Sequence, residues 1–136
     1  MLKHKILSAD NILKRGWPCY PFCQLCMTHL ETAQHLACSC SFTASVWTIV
    51  TRHFQLVGTP PLPSDDPPQD WWQKACTTVT RNQRKNFSGL LMYLWWNVWK
   101  ERNRRVFQNS FQSISFVSSL VISDFTSFAS FSALEM

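Results

Sequence analysis

The chain has 136 residues, of which 46% are hydrophobic and 14% aromatic, and this composition predicts a packed domain and excludes a disordered tail. Its net charge of +5 is modest, since 15% of the residues are charged, so an anionic partner is allowed but not required. The first residues lack the apolar core of a signal peptide, and no apolar run reaches the length of about 20 residues that spans a bilayer. We therefore expect an intracellular protein, cytoplasmic or nuclear, that is not secreted and does not bind a membrane.

Two short helices are predicted to flank a cysteine-rich loop in the N-terminal part of the chain. Ser8 can cap a helix that runs to about Arg15. The loop from Cys19 to Cys26 follows, and residues 31–38 are predicted to form a short helix or turn. A helix from Phe42 to about Phe54 then has apolar side chains at three- and four-residue steps, so one of its faces should be buried.

Residues 57–70 hold five of the seven prolines in the chain, and they are predicted to be a linker because proline interrupts helices. Helical periodicity resumes beyond them. The predicted helices run from Trp71 to Val79, from Asn82 to Phe107, and through a serine-rich segment after Ser113. The longest of them is apolar on most of its surface, which predicts burial on two sides or contact with a partner.

Clustered cysteines and histidines are the strongest functional signal in the sequence. Three cysteines and one histidine have the spacing C-x2-C-x8-H-x4-C, namely Cys23, Cys26, His35 and Cys40. Three thiolates and an imidazole are a complete tetrahedral ligand set for zinc, and a complete set leaves no open position for a substrate. The metal would therefore be structural. Spacing alone leaves two choices open, because His29 competes with His35 and Cys38 competes with Cys40.

These patterns together predict a mainly α fold with a small zinc-knuckle-like module and a helical C-terminal segment. The predicted boundaries are residues 1–56 for the zinc-binding module, 57–70 for the proline-rich linker and 71–136 for the helical segment. A module as small as the first one buries little apolar surface, so we expect Zn²⁺ to contribute to its folding.

The residues around the cysteines resemble a known family. Glu31-Thr32, His35-Leu36, Phe42 and Trp47 stand where the zinc-binding domain of reverse transcriptases from plant non-LTR retrotransposons has the same residues. The resemblance extends upstream to residues 8–17. It favours His35 over His29 and Cys40 over Cys38. Downstream, residues 99–105 are similar to a W-K-E-R-N-R-R segment that often follows this domain in such elements, and we call them the WKERNRR segment.

The resemblance implies an accessory function within a retrotransposon polyprotein. The chain would hold a structural Zn²⁺ and assist the binding of an RNA or DNA template, with the reverse transcriptase domains of the parent polyprotein as partners. Family members carry a further aromatic- and lysine-rich stretch before the position of Ser8. The resemblance therefore implies that this copy of the domain is truncated at its N-terminus.

Basic residues are concentrated between residues 81 and 105, where seven Lys or Arg stand against one acid. This stretch includes Arg81, Arg84 and Lys85, and tryptophans are interleaved with its cations, which suits phosphate contact and base stacking. The same pattern has a structural explanation, because cations are favoured at a helix C-terminus and Trp at helical spacing is usually part of a core. The predicted nucleic-acid contacts are Lys14, Arg15, Trp17, Lys100, Arg102, Arg104 and Arg105.

No enzyme activity and no small-molecule substrate are predicted. Polymerase chemistry requires clustered carboxylates that hold two metal ions, and the eight Asp and Glu residues of this chain are scattered. Two alternatives remain to the nucleic-acid hypothesis. The chain is either a protein-protein interaction module that docks through its Trp-rich helix, or a relic of a retroelement without a function of its own.

Overall fold

The computed structural model describes residues 8–16, 20–56 and 62–134, and it gives only the backbone of Asn82 and residues 130–134. The α-helices in this part of the chain are α1 (Ala9–Lys14), α2 (Ser41–His53), α3 (Pro68–Thr78), α4 (Arg84–Gln108) and α5 (Ile114–Leu134). A π-helical turn covers His35–Ser39 and a 3-10 turn covers Arg81–Gln83. The described residues form no strand, but one isolated β-bridge joins Phe22 to Leu30. The predicted mainly α fold is confirmed.

The ends of several helices are set by residues that favour a helix start or a helix end. The Phe116 N–H donates to Ser113 Oγ at 3.0 Å, so Ser113 caps α5. Asn109 ends α4 in the left-handed conformation, which asparagine tolerates better than most residues. Pro68 is the first residue of α3, where its fixed φ favours the helix. α3 thus begins three residues before the predicted start at Trp71, inside the predicted linker.

Aromatic side chains join three of the helices. The Trp47 ring of α2 meets the rings of Trp71 from α3 and Phe87 from α4, with centroids 5.9 Å apart in both cases and nearly perpendicular planes. This edge-to-face arrangement is one that aromatic pairs prefer. Trp71 and Phe87 are almost completely buried. α5 completes the bundle by packing against α2 and α4.

The cysteine-rich part of the chain belongs to the same core as the helices. Cys23 and Cys40 are fully buried in one apolar cluster with Leu94 of α4 and Val121 of α5. The Trp95 indole N–H donates to the Ala37 carbonyl at 3.1 Å, across the predicted domain boundary. The division of the chain at residues 57–70 stays a prediction, but the described residues on its two sides share one core. No helix in the described ranges has the length and apolar character needed to span a membrane.

Candidate metal centre

A tight loop places the first two cysteines. We call residues 22–30 the knuckle loop, because the β-bridge between Phe22 and Leu30 closes its two ends. Within it the Cys23 N–H donates to the His29 carbonyl at 2.8 Å, and the Met27 N–H donates to the Cys23 carbonyl at 2.9 Å. Met27 has a φ of 63°, which lets the chain reverse direction directly after Cys26. The two thiols of the C-x2-C pair are therefore held on one side of the loop.

A π-helical turn places the other two ligands. The Cys40 N–H donates to the His35 carbonyl at 2.7 Å, a bond between residues five apart. The Thr32 hydroxyl oxygen accepts the His35 N–H at 3.0 Å at the start of this turn. The Glu-Thr pair of the family pattern thus has a local purpose, since Thr32 fixes the backbone that carries His35.

The ligand atoms of Cys23, Cys26, His35 and Cys40 all lie within 4.8 Å of one another. The Cys23 and Cys40 sulfurs are 3.8 Å apart, and Cys26 Sγ lies 3.2 Å from His35 Nε2. A tetrahedral zinc ion with Zn–S bonds of about 2.3 Å separates two thiolates by about 3.8 Å. The donor set and its spacing therefore fit zinc, and His35 would bind through Nε2.

The competing ligands have other environments. The group of four includes neither His29 nor Cys38. His29 is exposed, its ring stacks on His35 with centroids 5.1 Å apart, and its Nδ1 lies 2.8 Å from the Thr28 hydroxyl. Cys38 is fully buried in the core, and burial, with a smaller contribution from the charge of Asp66, raises its pKa to about 12. Of the other two cysteines, Cys76 lies on α3 and Cys19 lies outside the described residues.

Hydrogen bonds set the pKa values of the ligand side chains. Burial opposes ionisation of Cys26, but hydrogen bonds from Thr28 and two histidines outweigh it and lower its pKa to about 5. The hydrogen bond between Cys23 and Cys40 raises the pKa of Cys23 and lowers the pKa of Cys40. Burial opposes protonation of His35, but its bonds to Cys23 and Cys26 raise its pKa. Cys26 and Cys40 are thus favoured as thiolates, the form that binds zinc, whereas Cys23 must first lose a proton.

A buried ion pair ties the chain next to the knuckle loop to α4. Arg102 donates to both carboxylate oxygens of Glu31, at 2.7 to 3.1 Å, and the two side chains are 3% and 1% exposed. Glu31 Oε1 also accepts the Ala9 N–H at 2.7 Å, at the start of α1. Glu31 therefore links α1, the end of the knuckle loop and α4.

A second arginine of the WKERNRR segment holds the knuckle loop itself. Arg105 donates to the Gln24 carbonyl between the first two cysteines at 2.9 Å, and to the Gln112 carbonyl at 3.0 Å. Its Nε also donates to Glu101 at 2.7 Å. Burial opposes ionisation of Glu101, but hydrogen bonds from the Gln112 N–H, Arg105 and Arg104 outweigh it and lower the pKa of this carboxyl. The charges of this segment thus support the metal centre.

The structure places two of the predicted nucleic-acid contacts in ion pairs. Arg102 and Arg105 have side chains that are 3% and 10% exposed, and each is bound to a carboxylate, so little of either is open to a phosphate. Arg104 is paired with Glu101 at 2.8 Å and is 23% exposed. Lys100 is half-buried, with its Nζ 5.6 Å above the Trp96 ring. The sequence pattern did not reveal that these arginines have acidic partners.

The remaining predicted contacts belong to the N-terminal part of the chain. Lys14 and Arg15 are exposed at the end of α1, and Trp17 lies outside the described residues. The structure instead exposes Tyr20, just before the knuckle loop, and Phe22, its first residue, with ring centroids 5.6 Å apart; the sequence analysis did not single out either. A signal was present, because both aromatic residues stand within three positions of Cys23.

Comparison with known proteins agrees with this site. Residues 1–47 match a family model described as zinc-binding in reverse transcriptase. No match was found among curated proteins or among solved structures. The matched segment contains the whole donor set, so the predicted zinc cofactor is confirmed by the family and by the arrangement of the four side chains. Residues 1–47 are therefore similar to the zinc-binding domain of reverse transcriptases.

Proposed function

We propose that this chain is a non-catalytic accessory domain of a retrotransposon reverse transcriptase, and that it helps the enzyme hold an RNA or DNA template. The observation that supports this best is the pair of exposed aromatic rings next to a zinc-binding loop. Tyr20 is 59% exposed and Phe22 is 39% exposed. The same proposal includes an intracellular location, a plant retroelement origin and the parent polyprotein's reverse transcriptase domains as partners.

The role of the metal in this proposal is structural. Zn²⁺ bound by three thiolates and an imidazole fixes the knuckle loop relative to the π-helical turn. The complex of Zn²⁺ with three thiolates carries a formal charge of −1, so it repels phosphate. Attraction to nucleic acid must come from side chains around the loop.

Stacking of unpaired bases is the contact that the exposed side chains suit. Bases stack on aromatic rings with about 1–3 kcal/mol each, regardless of their sequence. Two further apolar side chains of the knuckle loop, Met27 and Leu30, are exposed at 48% and 61%. Folded proteins bury such side chains when they can, so an exposed group of this kind indicates a binding surface. Zinc-stabilised loops grip unpaired bases in this manner.

The non-catalytic part of the proposal rests on the carboxylates. Glu31 is bound by Arg102 and Glu101 by Arg104 and Arg105. A carboxylate whose oxygens accept bonds from arginine is not free to hold the metal ions of a polymerase. We therefore assign both acids to folding and neither to a reaction.

The experiment is a binding titration of the zinc-loaded chain with a fluorescent 20-nucleotide single-stranded RNA. We expect binding at 50 mM salt that weakens steeply towards 200 mM, as phosphate contacts require. The double variant Tyr20→Ala/Phe22→Ala should bind several-fold more weakly. Phe116→Ala is the matched control, because Phe116 is also an exposed aromatic residue but lies on α5. Absence of binding to RNA and DNA at 50 mM salt would reject the proposal.

A second candidate function is protein docking through α4. Met92 and Trp96 lie one helical turn apart on this helix and are 59% and 55% exposed. An apolar docking surface would respond little to salt. Capture of a reverse transcriptase domain that is unaffected by salt and is lost in Trp96→Ala would favour this candidate. A relic without function would show neither kind of binding.

A further inference from the structure

The end of α4 that lies away from the zinc centre collects exposed cations. Arg81, Arg84 and Lys85 are exposed in the 3-10 turn and the first turn of α4. We call these three residues the basic patch. Gln83 and Asn86 of the same segment line a cavity of about 180 Å³ together with Phe54 and Leu56, which follow α2.

The cations of the basic patch have no acidic partner among the described residues. The ion pairs in this part of the chain involve Lys74, Arg102, Arg104 and Arg105, and none involves a patch residue. Arg84 donates to the Cys76 carbonyl at 3.1 Å, which orients the side chain without neutralising it. In the sequence the nearest acids are Asp70, eleven residues before Arg81, and Glu101, sixteen residues after Lys85. The charge of the patch is therefore uncompensated.

Helix stability does not account for this arrangement. The N-terminus of a helix carries a partial positive charge and favours acidic residues, yet the first turn of α4 has none and contains two cations. At the opposite end of the same helix, by contrast, Arg102 and Arg105 form ion pairs with carboxylates. A surface that gains nothing for the fold and concentrates arginine and lysine is suited to an anionic partner.

We propose that the basic patch binds the phosphate backbone of the nucleic acid whose bases the knuckle loop holds. This inference rests on the proposed function and adds a second, separate contact surface. Arg84 of the patch and Arg105, which holds the knuckle loop, are 21 residues apart on α4. This spacing corresponds to about 30 Å along the helix, so the two contact surfaces are well separated. Arginine is the residue best suited to phosphate, since its guanidinium donates two parallel hydrogen bonds. Gln83 and Asn86, both exposed beside the patch, add neutral donors.

The test compares two variants of the zinc-loaded full chain in the same RNA titration. The patch variant is Arg81→Gln/Arg84→Gln/Lys85→Gln, and the control with the same change of net charge is Arg52→Gln/Lys74→Glu, at two exposed positions outside the patch. Loss of three phosphate contacts should lower affinity about tenfold and reduce the slope of log K against log salt by about 2. The control should lose clearly less affinity and keep more of the salt slope. Zinc stoichiometry and melting temperature verify that each variant is folded.

A second variant guards against a folding defect. Arg84 bonds to the Cys76 carbonyl, so Arg81→Gln/Lys85→Gln alone should show the same effect at reduced size. If the wild type binds and the patch variants bind equally well, the inference is wrong and the proposed function stands. If the patch variant and the control lose affinity equally, net charge and not the patch is responsible, which also overturns it. Competition by poly-glutamate as strong as by unlabelled RNA would assign the patch to acidic protein. No binding by the wild type at 50 mM salt would reject both proposals.

Discussion

Arg102→Met should destabilise the zinc-loaded protein more than any exposed charge substitution. Its guanidinium makes three hydrogen bonds to Glu31, and both side chains are almost completely buried. The substitution leaves a buried carboxylate whose remaining partner among the described residues is the Ala9 N–H. Removal of one member of a buried ion pair costs about 3–5 kcal/mol. We expect the free energy of unfolding to fall by that amount.

The assay is urea unfolding followed by tryptophan fluorescence, with zinc present throughout. The midpoint should move while the m-value stays constant, because the exposed surface does not change. Glu31→Gln should have a similar effect, and the double variant should lose less than the two single losses combined, since the second change removes a partner already lost. Lys74→Met is the control, because Lys74 forms an ion pair with Asp66 at the surface and its loss should leave the midpoint unchanged. Two outcomes would refute the reasoning. One is a double variant whose loss of unfolding free energy equals the sum of the two single losses, and the other is a loss below about 1 kcal/mol for Arg102→Met, as for an exposed ion pair.

Three other predictions concern neighbouring features. The pKa of Glu101 is lowered in the folded state, so its contribution to stability is present above 4.5, the ordinary value, and is lost as the pH falls further. Glu101→Gln should therefore melt well below the wild type at pH 7, and the gap should narrow as the pH falls below 4.5; a gap independent of pH would contradict this. Cys40→Ser should abolish zinc binding in native mass spectrometry while Cys38→Ser keeps it, and the reverse result would exchange the two assignments. Trp95→Phe leaves the buried Ala37 carbonyl without its donor at a cost of about 1–3 kcal/mol in urea unfolding, and an unchanged midpoint would show that this bond contributes nothing.

The parts of the structure that depend on near neighbours in the chain could be predicted. The zinc ligands lie between residues 23 and 40, so their spacing alone limits how they can meet around one ion. The buried face of α4 was also predictable, because Phe87, Leu91 and Val98 recur at helical intervals and are all buried. Residue patterns of this kind report local geometry directly.

The role of the WKERNRR segment could not be predicted from such patterns. Arg102 and its partner Glu31 are 71 residues apart, and nothing in a run of cations shows that one of them points into the core. Basic residues near the C-terminus of a helix have the same pattern whether they face water or a carboxylate. The sequence missed the early start of α3 for a similar reason, since Pro68 fits equally well in a linker and in the first turn of a helix.

The π-helical turn between His35 and Cys40 limits which insertions and deletions the domain can tolerate. In an ordinary α-helix, residues five apart point about 140° away from each other, and the bond from the Cys40 N–H to the His35 carbonyl removes that mismatch. One residue added to or removed from this turn would rotate a ligand away from the metal. Related sequences that keep this donor set should therefore also keep four residues between the histidine and the last cysteine.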